Sequence, residues 1–261
     1  MNRSVVVTGS GKGIGRGIAE RLTADGWLVV GVERSPSDSV EAGACAAVVV
    51  GDSAERATHT AAALRARELA PLAGWVNNAG ITRRTPLHEL DEREVRSVVE
   101  TNGLGYLWGC AAAVSAFVEQ ISGGSIVNVG SIHGRASFID HAAYEFTKGG
   151  IEALSRSVAV SYGAYGIRAN TVAPGGVRTP HLEAQIAAAP DPAAEERGLA
   201  EGPPLRRIAT VEEVASLVAY LLGEESGYIS GQSIAVDGGW TAAFGRPAPD
   251  AALDARYGVQ R

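Results

Sequence analysis

The chain predicts an α/β fold, a doubly wound parallel sheet of about seven strands with helices on both faces. Two observations carry this. Short β-branched runs alternate with amphipathic or alanine-rich helical patterns along the whole length, which makes the strands parallel and covers both faces of the sheet. Several of those runs also stop abruptly at glycine, asparagine or serine, as strands do where a ligand approaches their carboxyl ends.

Ser4–Thr8 reads as the first strand. It leads into Gly9-Ser-Gly-Lys-Gly-Ile-Gly15 and an amphipathic helix through Ile14, Ile18 and Leu22. Strand, glycine turn and helix open a Rossmann-type dinucleotide-binding unit. Glycines let backbone approach a pyrophosphate, and the helix N-terminus supplies amide donors and a positive dipole end. Gly9, Lys12, Gly13, Ile14 and Gly15 are therefore candidate cofactor residues, although the spacing departs from strict GxGxxG and fits no Walker A pattern. Residues 27–33 form the second strand and end on Glu33, eighteen residues past Gly15. A carboxylate there accepts hydrogen bonds from ribose hydroxyls and repels a 2′-phosphate, which favours NAD. Lys12 and Arg34 pull toward NADP, so NAD is preferred and NADP stays open.

A third strand over 46–50 closes at Gly51-Asp52-Ser53, and an alanine-rich helix runs on to Pro71. The strand at Trp75 stops at Asn77-Asn78-Ala79-Gly80, where adjacent asparagines can lock backbone turns beside a cofactor. Residues 91–120 carry one long helical pattern. Asn102, beside Gly103 and Gly105, marks an irregularity within it. A strand over 125–129 ends at Gly130-Ser131, Ala142–Tyr162 is a helix, and 167–172 is the next strand. The turn 174–179, with Pro174, Gly175, Gly176, Val177 and Thr179, can present backbone groups to a ligand. Residues 181–205 are polar and rich in alanine and proline, the composition of a mobile lid. Val211–Leu222 is a helix with Thr210 as N-cap and Glu213 closing a capping box. Ser233–Val236 is the last strand, and a tail covers 240–261.

With 261 residues, 46% of them hydrophobic, one domain with a proper core is expected. A net charge of −6 gives no footprint for nucleic acid or an anionic membrane. Cys45 and Cys110 lack metal-type spacing, and no signal-peptide pattern opens the chain, so a cytoplasmic setting without a metal is expected.

The chemistry centres on Tyr144-Glu-Phe-Thr-Lys148. On a helix, Tyr144 and Lys148 are neighbours on one face. An ammonium there favours the phenolate and lowers the phenol pKa from near 10. With Ser131 to position substrate, the pair reads as a general acid/base. Among 23 basic residues only Lys12 and Lys148 are lysines, and a compact ammonium is not interchangeable with a guanidinium at a tight site.

Five signatures then occur in order: Thr8-Gly9-x3-Gly13-x-Gly15, Asn77-Asn-Ala-Gly80, Ser131, Tyr144-x3-Lys148 and Pro174-Gly175. In these, and from Pro204 to Gly239, the chain resembles the short-chain dehydrogenase/reductase family over nearly its whole length. The resemblance implies a nicotinamide-dependent alcohol dehydrogenase or ketone reductase. Tyr144 would be the acid/base, Lys148 would lower its pKa and hold the nicotinamide ribose, Ser131 would orient the reacting oxygen, and Asn102 would hold a relay water. Gly9, Gly13, Ile14 and Gly15 would line the dinucleotide, Asp52 and Ser53 its adenine, Asn78 a ribose, and Val177 and Thr179 the carboxamide. The resemblance also implies a homotetramer or homodimer through the long helices near Asn102 and Tyr144.

Two positions depart from the family pattern. Gly130 replaces a frequent serine, and Glu145 stands where small residues are usual; this acid would oppose the lysine electrostatically, bind a polar substrate or, the favoured reading, enter a helix–helix contact. His133, His141 and His181, with Gly176 and Ser131, would line a pocket for a polar small molecule such as a hydroxylated ring, polyol or hydroxy ketone. Two rival readings are a sugar-nucleotide epimerase, which shares the YxxxK pattern, and a non-catalytic dinucleotide sensor. The length and the Asn77–Gly80 segment oppose the first; intact Ser131, Tyr144 and Lys148 oppose the second.

Overall fold

The computed structural model describes residues 3–35, 44–243 and Arg256. Its strands are β1 (Ser4–Thr8), β2 (Leu28–Glu33), β3 (Ala47–Val50), β4 (Leu72–Asn77), β5 (Gly124–Val129), β6 (Ile167–Pro174) and β7 (Ser233–Val236). They form one seven-stranded sheet in the order β3-β2-β1-β4-β5-β6-β7, parallel at every pairing. The connection reverses direction between β1 and β4, and the crevice outside the carboxyl ends at such a switch point is the natural ligand site.

The helices are α1 (Gly13–Ala24), α2 (Arg56–Leu69), α3 (Glu92–Val98), α4 (Gly105–Gln120), α5 (Ala142–Tyr162), α6 (Pro180–Ala188), α7 (Pro192–Glu201) and α8 (Val211–Leu222). Strand side chains alternate between faces, and the valine run of β1 divides accordingly. Val5 and Val7 join Ile18, Leu22, Val218 and Leu221 in a core under α1 and α8. Val6 joins Ala62, Trp75, Phe117 and Val158 under α2, α4 and α5. A sheet buried on both faces needs near-continuous apolar strands, which is why the strands read as runs rather than alternations.

Three features refine the sequence reading. The long helix over 91–120 is interrupted by a π-helical turn, Val99–Leu104, with Asn102 inside it. Second, β4 begins at Leu72 rather than at Trp75, because Gln120 bonds both the amide and the carbonyl of Leu72 (3.0 and 2.9 Å). The third concerns the segment expected to form a lid. It folds as α6 and α7, each with proline in its first turn and a side-chain cap, Thr179 accepting from the Leu182 amide and Asp191 from that of Ala194. The Thr-Pro and Asp-Pro pairs are the sequence signal for both helix starts. The capping box of α8 is formed, with the Thr210 amide donating to Glu213 (2.8 Å). Most of the tail at 240–261 lies outside the described residues.

Candidate active site

The glycine loop joins β1 to α1. Gly9 and Gly13 have φ of +68° and +55°, the left-handed region that glycine enters without steric cost. At Gly15 an added Cβ would lie 1.9 Å from the Gly9 carbonyl oxygen, so the loop crosses the helix start too closely for any side chain. Lys12, the N-cap residue of α1, makes no side-chain cap, and the first turn holds no acid. Its amide donors and dipole end are thus open to an anion, which fits the diphosphate of a dinucleotide. Ile14 packs against the α1 core, and the Thr179 methyl lies 3.4 Å from where a Gly13 Cβ would stand, so the 174–179 turn closes over this loop.

Glu33, at the end of β2, is buried. Its Oε1 accepts from the Ser10 hydroxyl (3.1 Å) and the Gly11 amide (2.5 Å), binding β2 to the glycine loop. Arg34 is exposed and 3.9 Å from Asp52. Asp52 also accepts from the Ala54 amide, and the Ser53 carbonyl lies 2.7 Å from Nε2 of buried His59. Asn78 serves the loop as a lock: its Nδ2 donates to the carbonyls of Thr8 (2.9 Å) and Gly9 (3.1 Å). The Thr8 hydroxyl in turn accepts from the amides of Asn78 and Ala79. Gly80 lies close to Asn102, whose Oδ1 would be 3.2 Å from an added Cβ. Both polar atoms of the Asn102 side chain are engaged by the Ile81 backbone (2.9 and 2.8 Å).

Ser131, Tyr144 and Lys148 converge at the carboxyl end of β5. The Tyr144 hydroxyl faces those of Ser131 and Thr82, both of which favour the phenolate. Thr82 carries no signal in the sequence, since its place beside the phenol depends on the β4–β5 pairing rather than on a motif. Lys148 is 4% exposed. Its Nζ donates to the Val129 carbonyl (2.9 Å) and lies 5.4 Å from the Tyr144 ring centroid. Burial lowers the lysine pKa to about 7 and raises that of Tyr144, against the lowering effect of Ser131 and Thr82. This reverses the expected sign at the phenol. The ammonium is spent on a carbonyl and a ring face, so desolvation of the phenolate dominates. Gly130, beside Ser131, is glycine because an added Cβ would meet the Thr171 methyl at 2.6 Å.

The segment between Ser131 and α5 brings two of the three pocket histidines together. His133 packs edge-on against Tyr144 (5.8 Å) and Phe138 (5.9 Å), and 6.3 Å from His141. His181 stands apart, exposed in the first turn of α6. Glu145, expected at a helix–helix contact, near the lysine or on the substrate, turns its carboxylate to the loop before α5. Its Oε1 accepts from the Phe138 amide (2.6 Å) and lies 3.7 Å from His133 Nδ1, so it organises the pocket loop. Among the described residues no cluster of three His, Cys, Asp or Glu could hold a metal ion.

Burial holds both His59 and His133 below the ordinary imidazole pKa of 6.5. Below that pH the unfolded chain binds protons that the folded chain resists, so their contribution to stability is full above 6.5 and is lost as pH falls toward the lowered values. The thermal midpoint should therefore drop between pH 6.5 and 5, and His59→Gln should make that drop shallower. Equal slopes in the two proteins would show that the ring is solvated.

Residues 9–241 match the family model described as Enoyl-(Acyl carrier protein) reductase. The chain belongs to the short-chain dehydrogenase/reductase family. It is a nicotinamide-dependent oxidoreductase of the alcohol dehydrogenase/ketoreductase type, acting on a small molecule. A 3beta-hydroxysteroid dehydrogenase 1 of Eggerthella lenta is 34% identical, over 92% of this chain and 94% of the relative. A cis-4-hydroxycyclohexanecarboxylate dehydrogenase of Sinomonas cyclohexanicum is 35% identical, over 92% and 97%. The crystal structure of a levodione reductase superposes with a TM-score of 0.88 at 30% identity, covering 93% of this chain and 98% of that one. No helix among the described residues is long and apolar enough to cross a membrane.

Proposed function

We propose that the enzyme interconverts a cyclic secondary alcohol and its ketone with NAD, using Tyr144 as acid/base. The observation that carries this is the half-buried Tyr144, whose hydroxyl faces those of Ser131 and Thr82, with the His133 ring edge-on to its own and Phe138 behind that histidine. Ser131 and Thr82 fix the phenol where a substrate oxygen would sit. Tyr144 then gives that oxygen a proton in reduction or takes one in oxidation. Bound in the crevice, the nicotinamide supplies the hydride donor or acceptor and, when oxidised, a positive charge beside the phenol. Lys148 provides the charge on the opposite side. Since the Asn102 side chain is engaged by Ile81, any water relay there falls to main-chain atoms. The aromatic loop favours a flat, hydroxylated ring among polar substrates, and the names of two relatives specify hydroxylated steroid and cyclohexane substrates. Turnover across cyclic alcohols, polyols and bulky apolar ketones tests this. Activity confined to the apolar ketones, unchanged in His133→Ala and His141→Ala, would refute the polar pocket.

Preference for NAD rests on Glu33, a buried carboxylate where a 2′-phosphate would be repelled, and on Arg34 being drawn to Asp52. Glu33→Gln keeps a side-chain oxygen and removes the charge. We expect the NADP/NAD ratio of kcat/KM to rise about tenfold, on the order of 1.4 kcal/mol. An unchanged ratio would remove Glu33 from cofactor choice.

Exposed Leu107 on α4, Leu104 in the π-helical turn before it and Phe146 on α5 support assembly as a dimer or tetramer through helix packing. Light scattering that finds a monomer would exclude it.

A further inference from the structure

Tyr106 belongs to no signature of the chain and reads in the sequence as one more apolar position of a long helix. It is 2% exposed, and its hydroxyl donates to the Val129 carbonyl at 2.8 Å. That is the same oxygen that receives the Lys148 ammonium at 2.9 Å. The Lys148 Nζ also lies 5.3 Å from the Tyr106 ring centroid, against 5.4 Å to that of Tyr144. Both separations fall within the reach of a cation–π interaction, which strengthens as water is excluded. The ammonium thus sits between two phenol rings with a carbonyl at its head.

We propose that Tyr106 is a positioning residue for Lys148, its hydroxyl fixing the ring against the Val129 carbonyl and its ring face holding the ammonium charged opposite Tyr144. The inference rests on Lys148 being part of the catalytic set. A lysine this deeply buried would otherwise lose its charge near neutrality, since burial alone brings its pKa to about 7. Other groups around it do not replace the ring. His133, on the loop after β5, is itself destabilised as a cation by Lys148. Cys110 lies beside Tyr106 on α4 and is pushed up to about 12, so it stays a neutral thiol. Glu152, one turn along α5, is bonded to Arg135 (2.9 Å) and Ser233 (2.8 Å). Tyr106 itself stays protonated, its pKa raised well above 10 by burial.

The lysine content of the chain makes this directly measurable. Protein labelled isotopically at lysine Cε carries two such side chains, Lys12 and Lys148, and Lys12 is exposed and serves as an internal reference. In Tyr106→Leu, and in Tyr106→Met, which refills more of the space if leucine destabilises the fold, the NMR titration midpoint of Lys148 should fall by roughly one pH unit. Tyr106→Phe keeps the ring but loses the hydroxyl that fixes it, and should restore most of the wild-type midpoint. The pH–rate profile should move in the same direction as the resonance. A midpoint unmoved by leucine and methionine, or lowered as much by phenylalanine, would overturn the proposal. Because the resonance is read without turnover, this outcome is separate from the dehydrogenase reading, which fails instead if no alcohol or ketone reacts.

Discussion

Tyr144→Phe should lower kcat by about 10²- to 10⁴-fold, the range expected when a positioned proton carrier is removed. Cofactor affinity should change little, because the ring that faces Lys148 at 5.4 Å is retained. The hydroxyl is the only part deleted, and with it the atom that faces Ser131 and Thr82. Those two hydroxyls lose a partner at the mouth of the crevice, where water can replace it, so the cost in stability should be about 1 kcal/mol. The raised phenol pKa also fixes the direction of the wild-type profile. Oxidation needs the phenolate, so its rate should climb as pH rises, whereas reduction uses the protonated phenol that burial favours. Steady-state kinetics with fluorescence titration of the reduced cofactor separates kcat from binding. A variant keeping more than about a tenth of wild-type kcat would remove Tyr144 from the proton transfer.

The residues that sequence reading found and those it missed differ in a physical way. The glycine loop, Asn102 and the Tyr144–Lys148 spacing are local constraints: a positive φ, a broken helix, one helical turn. Each leaves its mark on neighbouring residues. Thr82, Tyr106 and His59 act through contacts made only once β4, β5 and the helices are in place, such as Tyr106 reaching Val129 across 23 residues. Nothing near Tyr106 in the chain announces that bond. The sign of the Tyr144 shift is hidden from the sequence for a related reason. Spacing gives the distance between phenol and ammonium along a helix, but not that the ammonium turns to a carbonyl or how dry the phenol becomes. Glu145 shows the same limit, since its partner is an amide seven residues back in a loop with no regular period. The helices at 180–201 are the contrary case. Their Thr-Pro and Asp-Pro starts are local signals for a helix, while the polar composition around them is equally that of a loop.

Gly15→Ala should weaken dinucleotide binding by roughly ten- to a hundredfold, corresponding to about 1–3 kcal/mol of overpacking. The new methyl would stand 1.9 Å from the Gly9 carbonyl oxygen and 2.4 Å from Asn78 Nδ2. Neither neighbour can swing aside cheaply. Gly9 is held at φ +68°, and Asn78 bonds the carbonyls of Thr8 and Gly9. Relief must therefore come from moving the loop away from the start of α1, which carries the amide donors out of register with the diphosphate they would hold. The same movement strains the Gly11 amide bond to Glu33, so the adenosine side of the crevice shifts with it. Calorimetric titration with NAD, alongside thermal melting without it, distinguishes a damaged cradle from a damaged fold. The melting point should fall by several degrees while circular dichroism stays native. If alanine were accepted with unchanged affinity, the close approach of Gly9 to Gly15 would have no part in cofactor binding, and the diphosphate would have to be held elsewhere along the switch point.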